Sequence, residues 1–290
     1  MLNFRRILFP IDFSESSRQT APYVAWIARR CHSQVTLLHA LDIFLSGSSA
    51  PLLRPDLQAS YEDLIRKQRE SDLIGFAASA FEGLNATRVV EVGDAADTIV
   101  RYIEKNEIDL VVMPTHGWGT FRWLLLGSVT AKVLHDVFCP VWTMVHSETF
   151  FPSEGNEIRT IVCGVDPYSE PIRIIQAASE VAGNCGSAVH LVHAVPAPEA
   201  RPGSTFDLGF KSYLFDTARE RMAKCQQEAH TDWEVCIQGG TISSVIRDAA
   251  IRLQADLVII GRGHLPNRFG RLRTNVGAII RESPCPVLSV

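Results

Sequence analysis

The chain has 290 residues, 46% hydrophobic and 21% charged, which is ordinary for globular protein and, at about 150 residues per domain, enough for two cores. Its 28 basic and 32 acidic residues give a formal net charge of −4, so no global charge draws it to DNA, and no run of about 18 apolar residues offers a membrane span. The opening MLNFRRILFPIDF lacks the apolar stretch of a secretory signal and the seven cysteines never fall in C-x-x-C spacing, so the chain reads as a cytoplasmic protein with reduced, buried thiols.

Taken in order, short apolar runs alternate with helical patterns. Strands are expected near 6–11, 35–40, 88–92, 109–113 and 140–145, with helices near 16–31, 56–82, 94–106 and 127–137 between them. In the third helix Asp94 can cap free amides, and Ile99, Tyr102 and Ile103 share a face that should pack on a sheet. Strands such as ILFPI and LVVM are apolar on successive residues, the pattern of a parallel sheet covered on both faces. The expected fold is doubly wound, Rossmann-like α/β, with ligands at the carboxyl ends of the strands.

The same order of elements then recurs. RRILFPIDFSES returns as RTIVCGVDPYSE, aligning Asp12 with Asp166 at a spacing of 154, and VTLLHAL returns as VHLVHAV, aligning His39 with His193 at the same spacing. VVEVGD and EVCIQGG pair Gly93 with Gly240, and DLVVMP and DLVIIG pair Asp109 with Asp256, both at 147. FCPVWTMV and PCPVLSV pair Cys139 with Cys285 at 146. The chain is therefore a tandem duplication of a domain of about 145 residues, with expected domains at 1–147 and 157–290 and the polar segment ETFFPSEGNE between them. Each half ends in an apolar strand, VWTMV or VLSV, that would lie at a sheet edge, so the halves are expected to pair through these strands as an internal pseudo-dimer, with homodimerisation of the chain as a further step.

The stretch DLVVMPTHGWGTFRWLLLGS, residues 109–128, joins the fourth strand to a helix that opens on Gly127 and Ser128. The first amides of a helix have no internal partner and the dipole is positive there, so a phosphate can sit on Gly127, Ser128 and Val129, with the hydroxyls of Ser128 and Thr130 as added donors. Gly117 lets the backbone approach a ribose or second phosphate. The plainer reading is that Gly117 turns the chain and Ser128 caps a helix. Other nucleotide signatures are absent: no G-K pair occurs, and GWGTFR and GRGHLP lack the third glycine of a dinucleotide fingerprint and follow the wrong strand.

These residues resemble the universal stress protein family, whose nucleotide-binding members carry G-x-x-G-x9-G-[ST] after the fourth strand and an aspartate after the first. The first half matches from Gly117 through nine residues to Gly127-Ser128, with Pro114 at the family's first glycine. Pro114 has no amide hydrogen to donate. The resemblance covers the whole chain and implies a fold like that of the adenine nucleotide alpha hydrolases, with ATP as ligand, with or without Mg2+. Asp12 and the backbone near Ala40 would hold adenine and ribose, and Gly117, Gly127, Ser128, Val129 and Thr130 the phosphates, with Pro10, Met113 and His116 completing the site. The second half keeps Asp166 and Gly261 but has His264 at the second glycine and Thr274-Asn275 in place of Gly-Ser. The second half is expected to bind nucleotide weakly, at Asp166, Gly261, Arg262, Thr274 and Asn275, or not at all, against a rewired site using Arg262, Arg268, Arg271 and Arg273 or a solvated basic loop.

No metal ligand set stands out, because His190 and His193 point to opposite faces of a strand. His39 and His193 would wall the pocket or make structural hydrogen bonds, and Trp118, Phe121, Trp123 and Leu124 to Leu126 would pack over the site or against a subunit. The leading expectation is an ATP-binding stress-response regulator working through an unknown protein partner. A nucleotide-free dimerisation scaffold, and slow ATP hydrolysis or self-phosphorylation at Ser128 or Thr130, are the competing readings.

Overall fold

Successive apolar residues in the strands have one physical consequence, burial on both faces of a sheet, and the computed structural model carries this out. It describes residues 4–42, 55–115, 126–144, 158–195, 205–263 and 273–290. The chain divides into two units, Asn3–Glu154 and Gly155–Val290.

The first unit runs β1 (Arg6–Pro10), α1 (Glu15–Cys31), β2 (Gln34–Leu41), α2 (Pro55–Gly75), β3 (Ala86–Val92), α3 (Ala95–Asn106), β4 (Leu110–Pro114), α4 (Ser128–Asp136) and β5 (Val141–Met144). Its strand order is β3-β2-β1-β4-β5, and its recorded pairings are parallel. The second unit repeats this with β6 (Thr160–Gly164), α5 (Pro171–Cys185), β7 (Ala188–Val195), α6 (Thr205–Ala229), β8 (Glu234–Gly239), α7 (Ile242–Arg252), β9 (Leu257–Ile260), α8 (Arg273–Glu282) and β10 (Val287–Ser289). Its order is β10-β9-β6-β7-β8, also parallel. In each unit the chain moves outward from the first strand to the second and third, then returns to the other side of the first. The reversal falls between β1 and β4, where Ile7 is in register with Leu110, and between β6 and β9, where Ile161 is in register with Leu257. That is where a doubly wound sheet opens a crevice.

The repeated landmarks of the sequence have structural work in both units. Asp109 accepts the amides of Arg5 at 2.8 Å and Arg6 at 3.1 Å, and Asp256 accepts those of Arg159 at 2.8 Å and Thr160 at 2.9 Å. Each aspartate thus ties the entry of the fourth strand to the entry of the first. Gly93 and Gly240 have φ of +146° and +153°, where a side chain is strained, and their amides reach Leu41 and Val195 at 3.1 Å. Ser33 and Ser187 donate to the carbonyls of Phe4 and Ile158 before the first strands.

Helix starts follow local chemistry. Ser14 accepts the amide of Ser17 at 3.2 Å, Asp94 that of Asp97 at 3.0 Å, and Thr241 that of Ser244 at 3.4 Å. One expected boundary moves. The second helix was expected to reach residue 82, but α2 stops at Gly75, and a run of turns follows in which Phe76 and Phe81 lie on Phe9 at 6.5 and 6.4 Å. Burying two rings on β1 outweighs continuing an amphipathic helix past a glycine. None of the seven cysteines forms a disulfide. Cys163, Cys225 and Cys285 are buried and the other four partly exposed; burial pushes the thiols of Cys163 and Cys285 up to about 12, as inert core residues.

Candidate functional site

In the first unit the carboxyl end of β1 leads straight into a clamp. Asp12 Oδ1 accepts the Ser14 amide at 2.9 Å and the Ser17 hydroxyl at 2.6 Å, so the carboxylate is oriented by the serines that start α1. Phe13 between them adopts φ of +62°, a costly conformation for a bulky residue. Its ring lies 4.7 Å from His39 and 5.7 Å from Phe76, with the Arg69 guanidinium 5.7 Å above it. The Nδ1–H of His39 donates to the Ile11 carbonyl at 2.8 Å, which fixes the tautomer and the strand-end turn together. Burial is the largest influence on this imidazole and holds its pKa below the ordinary value, with Arg69 adding to the effect and the Ile11 hydrogen bond opposing it.

The start of α4 is bound to the end of β4. The Gly127 amide donates to Thr115 at 3.0 Å, and the Thr130 hydroxyl donates to the Pro114 carbonyl at 3.2 Å. The sequence expectation gave that hydroxyl to a phosphate; its hydrogen is engaged within the fold and the residue is buried, so Thr130 offers an anion its amide instead. Gly127 caps α4 with no side-chain hydrogen bond, and the first intrahelical bond is Ala131 N–H to the Gly127 carbonyl at 2.8 Å. The amides of Ser128, Val129 and Thr130 consequently have no helical acceptor, at the carboxyl end of the strand beside β1. Ser128 is exposed and Val129 partly so. Pro10 and Met113 are buried in β1 and β4, and Ala40 near the end of β2 is partly exposed. His116, Gly117 and the apolar residues from Trp118 to Leu125 lie outside the described residues.

The second unit forms a crevice of about 380 Å³ at the same topological position, lined by Asp166, Gly261, Arg262 and Asn275 among others. Four of the five residues expected to form the weaker site therefore meet in one cavity. Thr274 lies in the first turn of α8, and Arg268 and Arg271 lie outside the described residues. The Asp166 carboxylate accepts the Tyr168 amide at 3.0 Å, as Asp12 accepts that of Ser14, but Pro171 stands where Ser17 gives the first unit its hydroxyl bond. Asp166 is exposed, whereas Asp12 is partly buried. His193 repeats the bond of His39, donating from Nδ1 to the Val165 carbonyl at 2.9 Å. His190 instead pairs with Glu234 at 3.1 Å. No group of three or more His, Cys, Asp or Glu among the described residues is arranged to hold a metal ion.

The model of the universal stress protein family matches the sequence twice, over residues 3–145 and 157–290. The chain belongs to the universal stress protein family. A universal stress protein of Methanocaldococcus jannaschii is 28% identical over 142 residues, covering 48% of this chain and 80% of that protein. One from Synechocystis sp. is 38% identical over 105 residues, about a third of each chain at 34% and 36%. The solved structure of a universal stress protein from Archaeoglobus fulgidus has the same fold, with a TM-score of 0.66 at 20% identity, covering 100% of this chain and 97% of that one. No helix among the described residues is long and apolar enough to cross a membrane.

Sequence reasoning missed several residues at these crevices. Ser14 and Ser17 were legible as a D-x-S-x-x-S pattern after the first strand, since that spacing brings a serine hydroxyl back over the aspartate. Tyr168, Ile174 and Ile246 carry no such signal, because their place at the second crevice depends on how α5 and α7 pack on the sheet.

Proposed function

We propose that this universal stress protein binds an adenine nucleotide at the strand-end crevice of its first unit and acts as a nucleotide-dependent regulator of a protein partner. The observation that carries the reading is the start of α4. Gly127 leaves three consecutive amides without a helical acceptor at the reversal point of the sheet, and the ties from Gly127 to Thr115 and from Thr130 to Pro114 hold them in place before any ligand arrives. The triphosphate of ATP rests on Ser128, Val129 and Thr130, the family motif adds Gly117 and His116 to the same site, and Asp12 with the backbone at Ala40 takes the ribose and adenine. Mg2+ at the phosphates is compatible with this arrangement. The clamp on Asp12 supports it, since a pre-oriented carboxylate accepts ribose hydroxyls without reordering. Pairing of the two modules inside one chain, and a cytoplasmic setting, accompany this reading and rest on the tandem duplication and the composition.

Calorimetric titration of the nucleotide-stripped full chain with ATP tests the assignment. The unmodified protein is expected to bind, and Gly127→Val, which places a branched side chain where phosphate approaches, to bind roughly ten- to hundredfold more weakly. Absence of binding by the unmodified chain, together with no nucleotide released from freshly purified protein on heating, would leave the dimerisation scaffold as the better reading.

A further inference from the structure

The crevice of the second unit differs from the first in ways that select its ligand. Gly261, the one glycine of the motif kept there, faces Ile174 of α5: a Cβ added at Gly261 would lie 2.6 Å from Ile174 Cδ1 and 3.0 Å from its Cγ1. The space that glycine leaves open is filled by an apolar side chain of the protein itself. At the corresponding position of α1 the first unit has Thr20. In sequence, the start of α8 has Thr274 and Asn275 at the positions of Gly127 and Ser128 in α4. Charge points the same way. Of the charged residues described at the crevice, Asp166 and Glu170 offset Arg173 and Arg262, and Arg173 lies 3.9 Å from Glu170. These four described groups together give a multiply charged triphosphate no net attraction, whereas a neutral or singly phosphorylated ligand has no such need.

An aromatic ring also lines the crevice. Tyr168 lines the crevice with 56% of its surface exposed, its ring 6.4 Å from His193, and the Arg221 guanidinium of α6 stands 4.3 Å from the ring centroid. Arg221 makes a cation–π contact with this lining ring. The first unit has Ser14 at the position of Tyr168, and its neighbouring ring, Phe13, is turned onto His39 and Phe76. Ile242 and Ile246 give the second crevice an apolar side, and the exposed carboxylate of Asp166 at the end of β6 can accept sugar hydroxyls.

We propose that the second crevice binds a nucleoside or nucleoside monophosphate in preference to a triphosphate, with the base stacked on Tyr168, the sugar on Asp166 and Arg221 as a positioning residue. This rests on the nucleotide reading of the chain and assigns its two modules different ligands. Stacking on an aromatic side chain contributes on the order of ten- to hundredfold in affinity.

The test uses the full, nucleotide-stripped chain carrying Gly127→Val, so that the first site is weakened roughly ten- to hundredfold, titrated calorimetrically with adenosine, AMP and ATP. Adenosine or AMP is expected to bind at least about tenfold more tightly than ATP. Tyr168→Ala is expected to weaken AMP at least about tenfold, and Arg221→Ala several-fold, while ATP binding by the first module of an otherwise unmodified chain stays unchanged. Ile174→Thr is expected to narrow the preference for AMP over ATP. ATP binding as tightly as AMP in the Gly127→Val chain, or AMP affinity unmoved by Tyr168→Ala, would overturn the proposal. An unmodified chain that binds ATP, while the Gly127→Val chain binds none of the three, overturns this inference and leaves the first-module site standing. An unmodified chain that binds no adenine nucleotide overturns both.

Discussion

The loops after β1 and β6 begin with the same aspartate and use it differently. Asp12 is gripped by the Ser14 amide and the Ser17 hydroxyl, and the following Phe13 is folded back onto His39, whereas the Asp166 carboxylate keeps only the matching amide bond, from Tyr168, and is followed by a proline and an exposed tyrosine. The scaffold beneath both is the same, down to the histidine bond and the aspartate ties at the strand entries. After duplication the contacts that hold the sheet together were retained in both copies, and the residues facing the crevice diverged. Fold and site can therefore be perturbed separately.

The largest expected effect breaks the comparison at the level of stability. Phe76 packs with Phe9 and Phe13 in the first unit, and the positions of Phe9 and Phe13 are Cys163 and Pro167 in the second. Phe76→Ala should cost the first unit about 3–5 kcal/mol, read by hydrogen exchange during urea unfolding, with the protection of β6 to β9 unchanged. Equal loss in both units would show that they unfold as one.

Next comes the clamp. Ser17→Ala removes a 2.6 Å hydrogen bond to a carboxylate and should cost about 1.5–3 kcal/mol in urea unfolding of the first unit. The matching change in the second unit, Pro171→Ala at the first turn of α5, should cost less than about 1 kcal/mol. A smaller contrast lies in the helix caps. Asp94→Ala should cost about 1 kcal/mol, and Thr241→Ala, whose cap bond is longer at 3.4 Å against 3.0 Å, no more than that.

The last effect is a pH dependence of the first unit. His39 has its pKa lowered on folding, chiefly by burial, so the unfolded chain takes up a proton first as pH falls. Its contribution is complete above the unfolded value near 6.5 and is lost as pH falls toward and through the folded pKa. Unfolding midpoints between pH 7.5 and 5 should decline, and His39→Gln should flatten the decline.

Much of the architecture was legible because its causes are local. Consecutive apolar residues in ILFPI and LVVM require cover on both faces, and α1, α3 and α4 fall where capping residues and apolar spacing put them. The end of α2 was not legible, since the choice of Phe76 and Phe81 to pack on Phe9 is a tertiary one. In the sites, Asp12 and Gly127 could be marked from their positions after strands and before helices. The engagement of Thr130 by Pro114, and of Gly261 by Ile174, could not, because each pairs residues from separate elements across the sheet end. The weaker motif of the second half likewise gave no sign that its strand ends enclose a cavity of about 380 Å³, since its walls come from α5 and α7 as well as the motif.

A crystal structure of the full chain with millimolar ATP tests the central claim most directly. The account predicts a triphosphate on the amides of Ser128, Val129 and Thr130, with Asp12 on the ribose. Density that leaves the start of α4 bare, or puts the phosphates against Arg262 in the second unit instead, would contradict it.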